Sequence, residues 1–148
     1  MIWIVKKFHQ LTLDEFHDIL QLRINVFVVE QNCPYSELDS KDKKAYHLFC
    51  KNNKGEIIAY TRFFKPSDYY SEAAIGRVVV HQDYRNQKLG VQLIKKTLLE
   101  LENRVGKVTI KIGAQKHLKN FYTSFGFQQI GEGYIEDGIP HIYMLLKN

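Results

Sequence analysis

The feature that most constrains the fold is an apolar run that leads through a short polar turn into a long amphipathic segment. Residues 73–80 are small, apolar or β-branched apart from Arg77, and this composition predicts a buried β-strand. Over residues 87–103, apolar side chains recur at spacings of three and four, which predicts a helix with one buried face. The N-terminus of such a helix presents free backbone N–H groups and the positive end of its dipole. The turn is therefore a candidate anion site inside an α/β domain.

The rest of the chain supplies the other layers of such a domain. Strands are predicted over 2–7, 45–51, 56–64, 108–114, 127–135 and 139–146, and helices over 12–27 and 116–125. Thr12-Leu13-Asp14-Glu15 has the form of a capping box and marks the start of the first helix. The polar segment 31–44 is predicted to be a long ordered loop, a kind of segment that often carries function. The order β-α-β-β-β-α-β-α-β-β predicts one α/β domain, 1–148, with a mixed central β-sheet.

Charge and composition narrow the class of partner. Of the 148 residues, 21 are Lys or Arg and 16 are Asp or Glu, which gives a net charge of +5. This surplus suits an anionic ligand but is too small and too scattered to indicate a nucleic-acid partner. No apolar stretch approaches the roughly 18 residues that cross a bilayer, so no membrane partner is expected. Cys33 and Cys50 form no CxxC pair and no disulfide framework. We expect a cytoplasmic protein, and a homodimer is left open.

Two motifs resemble those of the GNAT superfamily of N-acetyltransferases. Residues 78–90, Val-Val-Val-His-Gln-Asp-Tyr-Arg-Asn-Gln-Lys-Leu-Gly, look like its acyl-CoA-binding motif R/Q-x-x-G-x-G/A. Residues 120–127, Asn-Phe-Tyr-Thr-Ser-Phe-Gly-Phe, are similar to its N/A-x-Y-x-x-x-G-F signature. The segments 26–35, 113–122 and 136–141 resemble the ElaA-like branch, and the resemblance spans the whole chain. Lys88 stands where the superfamily motif has its first glycine, as is usual in that branch.

The resemblance implies the GNAT fold, with acetyl-CoA as the acyl donor and an amine as the acceptor. In that fold, the central strands that correspond here to 73–80 and 108–114 splay apart, and the cofactor lies in the gap. The resemblance also implies that Tyr122 stands beside the sulfur and acts as the general acid for the departing thiolate. The implied cofactor contacts, from the pantetheine arm to the pyrophosphate, are Val78, Val79, Val80, Arg85, Asn86, Gln87, Lys88, Leu89, Gly90, Asn120 and Tyr122.

The proton acceptor of the reaction cannot be carried over from the family. An amine with a pKa near 10.4 is mostly charged at pH 7 and must lose a proton before it attacks. Many relatives use a glutamate on the strand that here reads Ile75-Gly76-Arg77-Val78, which has no carboxylate. The candidates are Glu30, Glu37, Asp39, Asp42, His47, Glu132, Glu136 and His141. The alternative for each carboxylate is a solvated surface charge, and for each histidine it is a hydrogen bond within the fold. A metal site of Asp42, His47 and His141 has no supporting spacing, so no metal is expected.

Two arginines inside apolar strands are candidates for binding the substrate. Arg62 and Arg77 need an anionic partner if they are buried. That partner is either a carboxylate of this chain, such as Glu30 or Asp39, or a carboxylate of the substrate, and Arg23 has the same alternatives. Substrate contacts are thus expected among Glu30, Arg62, Arg77 and His141. The prediction is an acetyl-CoA-dependent N-acetyltransferase acting on a small-molecule primary amine. A protein or peptide amine as acceptor, and a non-catalytic acyl-CoA-sensing module, are the alternatives.

Overall fold

Seven strands form one sheet in the order β1-β2-β3-β4-β5-β7-β6. The structure is a computed structural model that describes residues 1–148. Its strands are Ile2–Lys7 (β1), Tyr46–Lys51 (β2), Ile57–Phe64 (β3), Ala73–Val80 (β4), Ile110–Gln115 (β5), Gln128–Glu136 (β6) and Ile139–Leu146 (β7). Neighbouring strands are antiparallel except β4 and β5, which are parallel. The predicted α/β class with a mixed sheet is confirmed.

Three helices accompany the sheet: Leu13–Ile24 (α1), Leu89–Val105 (α2) and Lys119–Thr123 (α3). The predicted capping box is present, because Thr12 Oγ1 accepts from the Glu15 N–H and the Glu15 carboxylate accepts from the Thr12 N–H. The first helix continues beyond α1 as a π-helical segment, Asn25–Glu30. The segment Lys116–Leu118, predicted to be α-helical, forms a 3-10 turn. None of the helices has the length and apolar character that a membrane crossing needs.

The central strands are covered by helices on both faces. Phe49 and Tyr60 pair across β2 and β3 and pack with Ile19 of α1. The neighbouring residue Leu48 points to the other face and joins the larger core cluster with Leu93 of α2. Burial on both faces explains why β2 and β3 read as nearly continuous apolar runs rather than as an alternating pattern.

The parallel pair β4–β5 separates soon after it starts. The two strands pair only at Ala73–Ile110 and Ala74–Lys111. On its other side, β4 has a bulge against β3, and Arg77 within that bulge has a left-handed backbone with φ of 52°. Thr61 Oγ1 donates to the Gly76 carbonyl across the bulge, at 2.8 Å. Because bulges bend a strand, β4 leaves β5 and opens the gap that the resemblance predicts.

Candidate functional site

A cleft of about 810 Å³ lies in the gap between β4 and β5. Its walls are β4, the first turn of α2, β5, α3, the β6–β7 turn and part of the segment 26–39. The volume lies in the range of small-molecule sites. Of the predicted cofactor contacts, those that line it are Val78, Val79, Val80, Arg85, Asn86, Lys88, Leu89, Gly90 and Tyr122.

Two predicted cofactor contacts are absent from the cleft walls. Asn120 is exposed on α3, two residues from the buried Tyr122. Two residues turn a helix by about 200°, so side chains at these positions point in nearly opposite directions. Gln87 is exposed between Asn86 and Lys88, which both have left-handed backbones. The side chains of Asn120 and Gln87 thus lie outside the cleft walls, and their assignment as cofactor contacts stays a prediction.

The turn before α2 presents backbone groups to the cleft. No side chain caps the N-terminus of α2, so its first N–H groups have no side-chain acceptor. Lys88, the capping residue, has φ of 59°, a conformation that favours glycine. This is the position where the superfamily motif has glycine, and the lysine adopts the backbone that glycine would supply. The left-handed backbone at Lys88 also explains why α2 begins at Leu89, two residues later than the apolar pattern predicts.

Arg85 at this turn already has an anionic partner. Its guanidinium donates two hydrogen bonds to the Glu30 carboxylate, at 2.6 and 2.9 Å, and a third to the Val80 carbonyl at 3.2 Å. The hydrogen bonds from Arg85 hold the pKa of Glu30 below its usual range. Both side chains are about one-third exposed. Glu30 thus pairs with the residue predicted to meet the cofactor pyrophosphate, and not with Arg62 or Arg77.

Tyr122 combines burial with an unengaged hydroxyl. The residue is 6% exposed, and its ring packs edge-on against Phe121 and Phe127. No hydrogen bond within the protein involves its hydroxyl, and the side chain lines the cleft. Burial raises the pKa of Tyr122 well above its usual value. The phenol therefore stays protonated at neutral pH and can act only as a proton or hydrogen-bond donor towards an anion.

Three arginines and three carboxylates form a network beside the cleft, in which Arg77 and Asp39 are partly exposed and the other four side chains are buried. Arg23 and Arg62 both donate to Asp42 Oδ1, at 2.8 and 2.9 Å. Arg62 also donates to both carboxylate oxygens of Asp39, at 2.7 and 3.0 Å. Arg77 donates through Nε to both Glu37 oxygens and through a terminal nitrogen to the Glu37 carbonyl. Each arginine is thus neutralised within the chain.

The anionic partners of the three arginines are carboxylates of this chain. Burial alone would raise the pKa of Asp39, but the hydrogen bonds from Arg62 and the charges of Arg62 and Arg77 outweigh burial and lower it. Asp39 was a predicted partner of Arg62. Glu37 was foreseen only as a candidate base, and 40 residues separate it from Arg77. Arg62 is 1% exposed and does not line the cleft, and its guanidinium is paired with Asp39 and Asp42 of this chain.

His47 and His141 have different surroundings. His47 is fully buried away from the cleft, and its ring nitrogens contact the Tyr60 hydroxyl and the Asp42 carbonyl. Burial lowers the pKa of His47. His141 lies on β7 and lines the cleft. No group of three or more His, Cys, Asp or Glu side chains is arranged to hold a metal ion.

Two hydrogen-bonded bridges join the residues after the π-helical segment to other parts of the cleft wall. Gln31 and Gln115 exchange two amide hydrogen bonds, at 3.2 and 3.4 Å. The Cys33 thiol donates to the Asp137 carbonyl in the β6–β7 turn, at 3.3 Å. Sequence reasoning missed these residues because the partners are 84 and 104 residues apart. All four residues line the cleft, so the two bridges connect different parts of its wall.

Comparison with known proteins identifies the family. A model of the acetyltransferase (GNAT) domain matches residues 17–148. Protein ElaA of Escherichia coli K12 is 44% identical over 138 residues, 91% of this chain and 89% of that protein. The crystal structure of an acyl-CoA N-acyltransferase from Pseudomonas aeruginosa has a TM-score of 0.93 at 38% identity, over 99% of each chain. The crystal structure of E. coli ElaA has a TM-score of 0.91 at 40% identity, again over 99% of each. The GNAT fold is thus confirmed, and this chain belongs to the GNAT acetyltransferase family, in which it is ElaA-like.

Proposed function

We propose that this chain is an acetyl-CoA-dependent N-acetyltransferase that transfers the acetyl group directly to a primary amine of a small molecule. The observation that carries the proposal is the composition of the cleft. One cleft holds the uncapped N-terminus of α2 at one end and the unengaged hydroxyl of Tyr122 farther along. Membership of the GNAT family supports acyl transfer from an acyl-CoA. That the donor is acetyl-CoA and the acceptor a small primary amine is the proposal made here.

The α2 turn is the proposed phosphate end of the site. Free N–H groups at a helix N-terminus bind anions, and Lys88 adds a positive charge there. Arg85 contributes once its guanidinium is shared with, or released from, Glu30. Backbone groups of Val78, Val79 and Val80 hold the pantetheine arm, and an N–H of Val79 or Val80 stabilises the negative charge that develops on the carbonyl oxygen.

Tyr122 is the proposed general acid. Acetyl transfer to an amine expels a thiolate, whose parent thiol has a pKa near 8.5 if it resembles cysteine. A protonated phenol that aims its O–H into the cleft can hydrogen-bond that sulfur or give it a proton. A module that only sensed acyl-CoA would have no use for such a donor. This reasoning favours catalysis over sensing.

The dimensions of the cleft favour a small acceptor over a protein. Its volume of about 810 Å³ lies in the range of small-molecule sites. The Gln31–Gln115 and Cys33–Asp137 hydrogen bonds also tie together residues from different parts of its wall. Cys33 and Cys50 are buried and unpaired, which agrees with the proposed cytoplasmic location.

The test is thiol release from acetyl-CoA against a panel of small amines, amino acids and lysine peptides. We expect turnover with a small amine and a loss in kcat of about 10- to 1000-fold in Tyr122→Phe. This lies at or below the usual contribution of general acid catalysis, about 100- to 10,000-fold, because the thiolate is already a good leaving group. Acetyl-CoA affinity, measured by calorimetry, should change little. Tyr69→Phe is the matched control, because Tyr69 also lines the cleft and its hydroxyl makes no hydrogen bond within the protein. An undiminished kcat in Tyr122→Phe, measured where chemistry limits the rate, removes Tyr122 from the mechanism.

A further inference from the structure

His141 is held in one orientation and one tautomer. Its Nδ1 lies 2.7 Å from the Ile139 carbonyl, which can only accept, so Nδ1 carries the proton and donates it. The ring stacks on Tyr134, with 5.6 Å between centroids and 28° between planes. In the neutral imidazole, the lone pair is therefore on Nε2. The side chain is only 11% exposed, so it presents this lone pair from a fixed position.

Nε2 is the ring nitrogen that remains available to a substrate. It makes no hydrogen bond within the protein, and His141 lines the cleft. The nearest carboxylate oxygen is Glu136 Oε2, at 3.6 Å. That separation is too long for a hydrogen bond but close enough to stabilise a positive charge on the ring. A proton taken up at Nε2 would thus gain an anionic partner that the neutral ring does not use.

The other groups near this end of the cleft are less suited to accept a proton. Glu30 and Asp39 each accept two hydrogen bonds from one arginine. Glu136 is 60% exposed at its side chain, so water solvates it. The other titratable residues that line the cleft are Cys33, Tyr35, Tyr69, Arg77, Tyr84, Arg85, Lys88, His117, Tyr122 and Asp137. Of the fixed positive charges among them, Arg77 is paired with Glu37 and Arg85 with Glu30, while Lys88 lies at the α2 turn.

We infer that His141 is the general base that deprotonates the acceptor amine, with Glu136 as the residue that stabilises the protonated ring. The inference rests on the proposed function. It supplies the proton acceptor that β4 lacks, since the bulged strand carries Arg77 and no carboxylate. The arrangement of a base oriented by one partner and stabilised by another is the usual requirement for a positioned base.

The proton balance is complete without a further reactant. The ammonium form of the acceptor gives one proton to His141 Nε2, and the freed lone pair forms the N–C bond. The C–S bond then breaks, and the sulfur receives a proton through the Tyr122 hydroxyl, while the new amide nitrogen loses its second proton to replace it. The imidazolium at His141 finally releases its proton to water. One proton is released per acetyl group transferred.

The experiment compares the parent with His141→Asn, using acetyl-CoA and whichever of benzylamine, 1,4-diaminobutane or lysine amide the parent acetylates fastest. Asparagine has an amide N–H that can replace the Nδ1 donor to Ile139, but it has no basic nitrogen. We expect kcat to fall by about 100- to 10,000-fold at neutral pH. The deficit should shrink as the pH rises, because the free amine then needs no base. Glu136→Gln should lose less than His141→Asn.

Two further measurements separate a base from a structural residue. Coenzyme A affinity by calorimetry and the thermal melting temperature should match the parent in His141→Asn. His117→Asn is the matched control, because His117 lines the same cleft without the contacts of His141. A deficit of equal size at every pH, or an undiminished kcat, overturns the inference while the enzyme remains active. A parent that acetylates none of the amines overturns the proposed function, and the role of His141 falls with it.

Discussion

The buried carboxylate Asp42 allows the most direct test of the arginine network. Its Oδ1 accepts from Arg23 and Arg62, while its Oδ2 has no hydrogen-bond partner. Asp42→Asn keeps an acceptor oxygen but removes the charge, so the buried Arg23 and Arg62 and the partly exposed Arg77 are left with two carboxylates. The new amide also puts a donor near a position where the carboxylate found no partner. Both effects destabilise the folded state.

The size of the effect follows from burial. Removing one partner from a buried ion pair costs about 3–5 kcal/mol, and the retained acceptor oxygen puts Asp42→Asn near 3 kcal/mol. For a domain of this size, melting temperature falls by about 2–4 °C per kcal/mol. We therefore expect a decrease of about 6–12 °C. Stability of small domains is about 5–15 kcal/mol, so the variant should still fold.

Asp39→Asn is the matched control for the same chemical change. Asp39 also accepts from Arg62, but its side chain is 35% exposed where that of Asp42 is 3% exposed. Water can replace the lost charge at Asp39, so the cost should be about 1 kcal/mol or less. Urea denaturation and thermal melts of both variants give the comparison. If Asp39→Asn destabilises the protein as much as Asp42→Asn, burial does not set the strength of these ion pairs.

Three further predictions concern single side chains. Lys88→Gly should stabilise the protein by about 1 kcal/mol because it removes a left-handed non-glycine residue, whereas Lys88→Glu should weaken coenzyme A binding through like charge at the phosphates. Glu30→Gln should strengthen coenzyme A binding about 2- to 5-fold at low salt, since it frees Arg85 from an ion pair worth up to about 1 kcal/mol. Burial lowers the pKa of His47, so the unfolded chain binds a proton that the folded one does not. Its contribution to stability is complete above about pH 6.5 and should be lost as the pH falls below that through the folded pKa.

Each of these predictions would be contradicted by a specific result. For Lys88, the result is a lower melting temperature in the glycine variant or equal affinity in the glutamate variant. For Glu30, calorimetry should show that the gain disappears at high salt, where surface charges are screened, and a gain that persists contradicts the ion-pair explanation. For His47, melts of the parent and His47→Gln are compared at about pH 7.5 and about pH 5. An equal loss on acidification in both assigns the effect to other groups.

Local sequence signals predicted the elements of the fold well. The Thr12–Glu15 capping box and the strands around the cleft follow from side chains within a few residues of one another. The start of α2 was predicted two residues early because periodicity does not reveal that Lys88 has a left-handed backbone. The π-helical segment 25–30 has no such local signal, and it extends the first helix to Glu30.

The contacts that shape the site, unlike the local signals of the fold, join residues that are far apart in the sequence. The partners of Arg62 are 20 and 23 residues away, and the carboxylate partner of Arg77 is 40 residues away. An arginine within an apolar strand predicts that an anionic partner is needed, but the sequence spacing does not identify that partner. The sequence named His141 as one of eight candidate bases and as a candidate substrate contact, but it could not single it out, because its tautomer depends on the Ile139 carbonyl and its stacking on Tyr134 of the neighbouring strand.

Stability and the shape of the cleft depend on the same residues. Arg77 has a left-handed backbone inside a strand, which costs about 1–3 kcal/mol for a residue other than glycine. Its guanidinium is clamped by the Glu37 side chain and carbonyl, and Glu37 also contacts Arg23. These contacts offset the strain and hold the bulge that turns β4 away from β5. The segment that carries these carboxylates continues from Gln31 and Cys33, which line the cleft and bond to other parts of its wall, so the ion pairs also hold that part of the wall. A charged network that contributes little net stability when compared with an apolar core is thus explained by the geometry that it imposes on the cleft.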